Sequence, residues 1–187
     1  MPKSKEDPRV RLLQAAEKTT YQHGFGNTAL ADIAKEAEVP LGNVYYYFKT
    51  KDEIGKAVVA LRVSRFRKLL QELDKEDSPK ERLCAFIQIK IKNREGLARS
   101  GCPVGTLCSE LHKNGGPVAK KSTALLADAL AWMESQFKAL GKGTDSRGLA
   151  LHLLSATQGV SVLAHTFHDP SLIEIEAARL KGWICSL

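Results

Sequence analysis

Three observations predict an all-α chain. Apolar residues recur at three- and four-residue spacing in nearly every segment, and no run alternates with the period of two that a half-buried strand requires. Two capping boxes, Thr50-Lys-Asp-Glu53 and Ser78-Pro-Lys-Glu81, mark helix starts. Strong turn signals, Asn114-Gly-Gly-Pro117 and Gly141-Lys-Gly-Thr144, punctuate the second half. Together they divide the 187 residues into about nine helices.

The first helix is expected from about Pro8 to His23, closing at Gly24, with Leu12, Leu13, Ala16 and Thr20 on one face. Thr28 is placed as the N-cap of a short second helix whose inner face is Leu30, Ile33, Ala34 and Ala37. After the turn Glu38-Val39-Pro40, a third helix covers about Leu41 to Phe48. The Thr50 box opens a long fourth helix reaching about Leu73, and the charged stretch Asp74-Lys-Glu-Asp-Ser78 ends it. Pro79 takes the favoured first position of a fifth helix that runs to about Arg94. Gly96 to Gly101 is expected to be a loop, followed by a short helix from about Val104 to Lys113. A long helix then ends near Leu140, the next starts at Thr144 or Asp145 and reaches about His168, and the last runs from Asp169-Pro170 to about Cys185.

Composition bounds the function classes. A hydrophobic fraction of 43% and a charged fraction of 26% are those of an ordinary globular chain. The apolar runs fall far short of the ~20 residues that span a bilayer, and Met1–Asp7 lacks the apolar core of a signal peptide, so a cytoplasmic location is expected. The net charge is +7, and residues 1–68 hold 13 Lys and Arg against 8 Asp and Glu, so most of the excess lies in the first third. That bias serves solubility and also suits a polyanionic partner. Cys84, Cys102, Cys108 and Cys185 form no CxxC pair and are expected to be reduced thiols; no metal or cofactor is implied.

The most informative segment is Val39–Glu53, with its run Tyr45-Tyr46-Tyr47. Three adjacent tyrosines suit a core poorly, because each buried hydroxyl needs a partner. A short helix, a tight turn and a second short helix after a longer one form the arrangement of a helix-turn-helix DNA reader. Leu41, Val44, Tyr45 and Phe48 fall at helical spacing toward the first two helices, which leaves Gly42, Asn43, Tyr46 and Tyr47 outward. Gly42 allows close approach of the backbone, and Asn43 can pair with an adenine edge. Tyr46, Tyr47 and Lys51 can reach phosphates, as can the hydroxyl of Tyr45 if its ring packs, while Thr28 offers a hydroxyl and free N–H groups to another phosphate. Leu41 has two readings, a core residue or an apolar contact to a thymine methyl.

Residues 9–54 resemble the N-terminal domain of the TetR family of bacterial transcriptional regulators. The matching residues are Leu12-Leu13, Ala15-Ala16, Gly24-Phe25, Thr28, Ile33-Ala34, Ala37, Val39, Gly42, Val44-Tyr45, Phe48, Lys51 and Glu53-Ile54. Glu38 stands where glycine is common in the family, so a positive φ there costs ~1 kcal/mol. The resemblance implies a helix-turn-helix domain over 1–54 and a helical ligand-binding and dimerisation domain over 55–187. It further implies a homodimeric repressor on a palindromic double-stranded operator, released by a small-molecule or electrophile inducer.

In the second half, Ser100–Leu111 resembles the Gly-Cys-led helix start of subfamilies that sense electrophiles through a cysteine, which makes Cys102 a candidate sensor beside a helix N-terminus. Cys108, His112, Trp132, Met133, His152 and Phe167 are candidates to line a pocket, with ordinary core packing as the alternative for each. The last two helices carry Leu149, Leu153, Ala156, Val160, Leu163, Leu172, Ile175, Leu180 and Ile184, read as the dimer face. A cysteine-dependent enzyme using Cys102 or Cys108 with His112 is the rival, and a helical interaction module is a third reading. The enzyme reading finds no catalytic triad or glycine-rich phosphate loop in this sequence.

Overall fold

Ten α-helices and no strand occur among the described residues of the structure, a computed structural model that describes residues 7–187. Met1–Glu6, part of the stretch read above as lacking a leader's apolar core, lie outside them. The helices are α1 (Pro8–His23), α2 (Leu30–Glu36), α3 (Leu41–Tyr47), α4 (Lys51–Leu73), α5 (Pro79–Lys92), α6 (Arg94–Ser100), α7 (Gly105–Asn114), α8 (Gly116–Ala139), α9 (Ser146–Phe167) and α10 (Ser171–Ser186), with a short 3-10 turn at Gly143–Asp145. Among the described residues no helix is long and apolar enough to cross a membrane.

At both sequence-read capping boxes the hydroxyl accepts as expected. Thr50 Oγ1 accepts from the Glu53 N–H at 3.2 Å, and the Glu53 carboxylate reaches back to the Lys49 N–H at 2.8 Å. Ser78 accepts from the Glu81 N–H at 3.2 Å, with Pro79 in the first turn. Two elements differ from expectation. Ala29, not Thr28, occupies the N-cap of α2, because the Thr28 hydroxyl turns back to donate to the Gly24 carbonyl at 2.7 Å. The Asp32 carboxylate instead satisfies the Ala29 N–H at 2.9 Å.

The second difference is α6, which forms where a loop is expected. Asn93 interrupts the helix for one residue only: its side-chain amide donates to the Ile89 carbonyl at 2.9 Å, and its own carbonyl accepts from the Leu97 N–H at 2.9 Å. Burial of Leu97 and Ala98 outweighs the ~1 kcal/mol that Gly96 costs within a helix.

The chain divides into two compact units. One comprises residues up to Val63 together with Thr106–Thr123; the other comprises Ser64–Gly105 and Ala124–Leu187. In the first unit, Leu12, Ala15 and Ala16 of α1 close on Ile33 and Ala34 of α2, Val44 of α3, Phe48, and Ile54 and Val58 of α4. Next to this core, Phe25 leaves the α1–α2 corner and packs against Val59, Leu107, Leu111, Val118 and Ala119. In the second unit, Phe86, Ile87, Met133, Phe137, Leu153, Leu180 and Ile184 are among the residues that fill the centre, with a smaller cluster of Leu97, Cys102, Ala164 and Ile173.

This core corrects part of the face assigned to the last two helices. Leu153, Leu180 and Ile184 point into their own unit and are buried, because α9 and α10 use one apolar stripe each to pack on α5 and α8. Other apolar residues are left exposed: Leu151, Val162, Leu163 and Phe167 of α9 and Ile175 of α10.

Gly55 on α4 has no room for a side chain, since a Cβ there would lie 2.7 Å from the Phe25 ring. Gly55→Ala is expected to lower stability by about 1–3 kcal/mol by displacing Phe25. Urea denaturation checks this, and an unchanged midpoint would contradict the tight seat.

Candidate nucleic-acid interface

The turn before α3 is built on a strained residue. Glu38 adopts φ 53°, the left-handed conformation that glycine takes without cost, as its position in the turn predicts. The Val39 N–H returns to the Ala34 carbonyl at 3.0 Å, and the Asn43 N–H to Pro40 at 2.8 Å, so the turn is held from both sides.

Which side of α3 faces outward follows from its anchors. Val44 and Phe48 are fully inside, and Tyr47 packs partly against the same core. At about 100° per residue, those three place the opposite face at Gly42 and Tyr46, with Leu41 and Tyr45 on one flank and Asn43 on the other. Exposure agrees: Tyr46 is 77% exposed, Tyr45 48% and Leu41 43%. Two readings from spacing are thereby corrected. Leu41 and Tyr45 do not join the core, because a two-turn helix held by residues 44, 47 and 48 has no contact left for them. Tyr47 takes the inner place instead, and Tyr46 meets it edge-on with ring centroids 5.0 Å apart.

The rest of the predicted set lies beside this face. A Cβ built on Gly42 would meet nothing within 4 Å, so the backbone there is open to a close partner. Asn43 is exposed. Lys51 begins α4, its ammonium donating to the Gly26 carbonyl at 2.8 Å and lying 5.0 Å from the Phe25 ring centroid. One of its three N–H groups is thus engaged and two remain to donate. Thr28 is buried, its hydroxyl given to Gly24. Sequence reasoning missed Arg9 and Lys49. Arg9 sits 5.7 Å from the Phe48 ring centroid, at the end of α3, and Lys49 is exposed just beyond it. Only tertiary packing brings the first turn of α1 to that place; for Lys49 the cue was its adjacency to the reader.

Comparison with known proteins bears on this arrangement directly. Residues 12–58 match the family model for bacterial regulatory proteins, tetR family. The transcriptional repressor NemR of Escherichia coli is 32% identical over 112 residues, covering 58% of this chain and 56% of that protein. Over residues 12–58 the chain is similar to the TetR family of regulators. An HTH-type transcriptional regulator of Lactococcus lactis is 28% identical over 92% of this chain and 91% of its own length. The crystal structure of a TetR transcriptional regulator from Legionella pneumophila superposes with a TM-score of 0.84, covering 100% of this chain and 98% of that one at 19% identity, which establishes the shared fold alone. The NemR match spans little more than half of that relative's length.

The pocket candidates are distributed over both units. Trp132 and Met133 are core residues, the Trp132 N–H donating to Asp74 at 2.8 Å. His152 is exposed against Trp183, and Phe167 is on the surface. Cys108 and His112 belong to the first unit. The Cys108 thiol donates to the Ser122 carbonyl at 3.3 Å, and His112 Nε2 lies 3.2 Å from Thr123 Oγ1. Among the described residues no cluster of ligating side chains could hold a metal ion.

Cys102 is different. It is buried three residues before α7 begins, with the Gly105 N–H donating to its sulfur at 3.4 Å and the Lys90 ammonium at 3.7 Å. Burial alone pushes this thiol up. The Lys90 charge, the N–H groups of Gly105 and Val104 and the Gln158 side chain together outweigh it, and the net direction is down. The thiolate is therefore the form this environment favours.

Because the shift is downward, the thiolate fraction is expected to persist to lower pH than for a free cysteine. The alkylation rate of Cys102 by iodoacetamide, plotted against pH, should show its midpoint on the acid side of the ~8.5 of a free thiol. Lys90→Ala should move it upward. A midpoint at or above the free value would remove the effect.

Proposed function

We propose that this protein is a homodimeric transcriptional repressor that binds a palindromic operator and leaves it when an inducer binds the second domain. The observation that carries the reading is the exposed face of α3, where Gly42, Asn43, Tyr45 and Tyr46 project together from a buried seat of Val44 and Phe48. In this reading the domain over residues 1–54 reads DNA. Asn43 and the open backbone at Gly42 address base edges, with Leu41 against a thymine methyl. Tyr45, Tyr46, Tyr47 and Lys51 hold phosphates and set the register, with Arg9 and Lys49 adding positive charge. The Thr28 hydroxyl supports the α1–α2 corner as a donor to the Gly24 carbonyl, which leaves it no proton to give to a phosphate.

The domain over residues 55–187 takes the ligand and the partner subunit. The exposed apolar residues Leu151, Val162, Leu163, Phe167 and Ile175 mark the outer side of α9 and α10 that we assign to a second copy, because apolar side chains left in water favour burial. A two-fold axis through that face presents two readers ~34 Å apart, one DNA turn. Cys102, with its sulfur beside the Lys90 ammonium, is the place for a small electrophilic inducer. The inducer need only bind more tightly to the conformation whose reader spacing misses the half-sites, with α4 as the lever between reader and ligand domain. A cytoplasmic location follows from this role. Members of the family are regulators and not enzymes, and NemR is named a repressor, which favours this reading over the cysteine-dependent enzyme.

Binding to DNA from upstream of the protein's own gene tests the reading. Affinity should fall steeply with salt, the slope reporting the number of phosphates held. Lys51→Ala should weaken all sequences about equally, whereas Asn43→Ala should cost about 1–3 kcal/mol at one base position and relax choice there. Affinity no better than for random DNA at every upstream segment would defeat the proposal.

A further inference from the structure

Residues 24–26 of the first unit are held by three side chains at once. The Gly24 carbonyl accepts the Thr28 hydroxyl at 2.7 Å, and the Gly26 carbonyl accepts the Lys51 ammonium at 2.8 Å. Between them, the Phe25 N–H donates to Glu110 Oε2 at 2.6 Å. Glu110 is the remote member, 85 residues along the chain on α7, yet Thr106–Thr123 folds with the residues up to Val63. Its other carboxylate oxygen lies against Gly24, 2.7 Å from where a Cβ would stand.

We propose that Glu110 is a positioning residue for DNA binding that acts through Lys51. The role rests on the regulator reading in one respect, that Lys51 holds a phosphate.

The route runs through Phe25. The Lys51 ammonium lies 5.0 Å from the Phe25 ring centroid and donates to the carbonyl of the next residue, so its place follows that of Phe25. Phe25 is in turn fixed at its N–H by a carboxylate, an acceptor that makes a stronger bond than a neutral one. A free lysine side chain samples many rotamers, and holding it before DNA arrives removes that ordering cost from binding. The apolar seat of the ring is separate from the carboxylate. Leu107, Leu111, Val118 and Ala119 pack with Phe25 in one cluster, so a variant at position 110 keeps the fold of the unit.

The sign of the effect distinguishes positioning from plain electrostatics. By charge alone an acidic side chain opposes a polyanion, and its removal favours binding. A positioning role predicts the reverse.

The test titrates the full-length protein onto a random-sequence duplex over a range of salt, because Lys51 serves all sequences alike. Glu110→Ala should weaken binding about five- to tenfold at about 0.1 M salt and lower the salt slope by about 0.9, the value of one lost phosphate. Lys51→Ala should do the same, and the double variant should bind no more weakly than Lys51→Ala alone. Glu110→Gln loses the charge but keeps an acceptor for the Phe25 N–H, and should bind within about twofold of the unaltered protein. Without DNA, amide exchange at Phe25 should accelerate in Glu110→Ala and stay slow in Glu110→Gln. Unchanged or tighter binding by Glu110→Ala overturns the proposal, as do additive losses in the double variant or an unchanged Phe25 amide. Unaltered protein that binds random DNA but prefers no upstream segment defeats the repressor reading and leaves this positioning role standing.

Discussion

The corner between α1 and α2 is the constraint on which the first unit depends. Gly24 ends α1 at φ 84°, its N–H closing on the Thr20 carbonyl, and the chain then delivers Phe25 away from the helix-turn-helix core. Glu110 of α7 accepts the Phe25 N–H at 2.6 Å and crowds Gly24 so closely that a Cβ there would lie 2.7 Å from its carboxylate. A carboxylate accepting from a backbone N–H is a strong form of hydrogen bond, and here it fixes the one residue whose ring fills the space between α4, α7 and α8. Lys51 completes the arrangement by donating to Gly26 across the same ring. The reading helix is thus tied through α1 and α2 to α7, and the tie uses backbone groups as well as side chains.

In the proposed reading, that tie gives Lys51 two tasks. Its ammonium stabilises the corner and also stands at the edge of the reading face, so a phosphate approaching α3 would share it with the Gly26 carbonyl. Three donors on a rotatable ammonium allow both at once, which a guanidinium committed to a planar pair would not. The same economy appears at Glu53, whose carboxylate caps α4 by accepting from the Lys49 N–H and so holds the exit from α3.

Much of the fold was legible because helix ends are encoded locally. The Thr50 and Ser78 boxes, Gly24 and the breaks at 114–117 and 141–144 all specify backbone groups within four residues of themselves, and each lies where it was read. The failures share one cause. At α6, burial of Leu97 and Ala98 by other helices overrode a local loop signal. At α3, the periodicity of apolar residues did not say which three would be anchors, so Tyr45 and Tyr47 exchanged places. Thr28 lost its cap because a competing acceptor, the Gly24 carbonyl, lay four residues behind it. In α9 and α10 apolar residues occur on more than one side, and only packing shows that Leu153, Leu180 and Ile184 serve the core while Leu163 and Ile175 remain outside.

The tyrosine run now divides into three physical roles. Tyr47 is a half-buried brace and Tyr46 leans on it edge-to-face, which limits the rotamers of the most exposed ring on the helix. Tyr45 stands on the flank beside Leu41. An aromatic side chain already held in place loses little entropy when a phosphate accepts from its hydroxyl, and two χ angles are few to begin with. Replacing such a residue by lysine would supply charge but give up that pre-organisation. In the proposed reading, positioning by braced hydroxyls, with few charges on α3 itself, would leave base choice to Gly42 and Asn43 and make the contribution of α3 less dependent on salt than that of Arg9, Lys49 and Lys51.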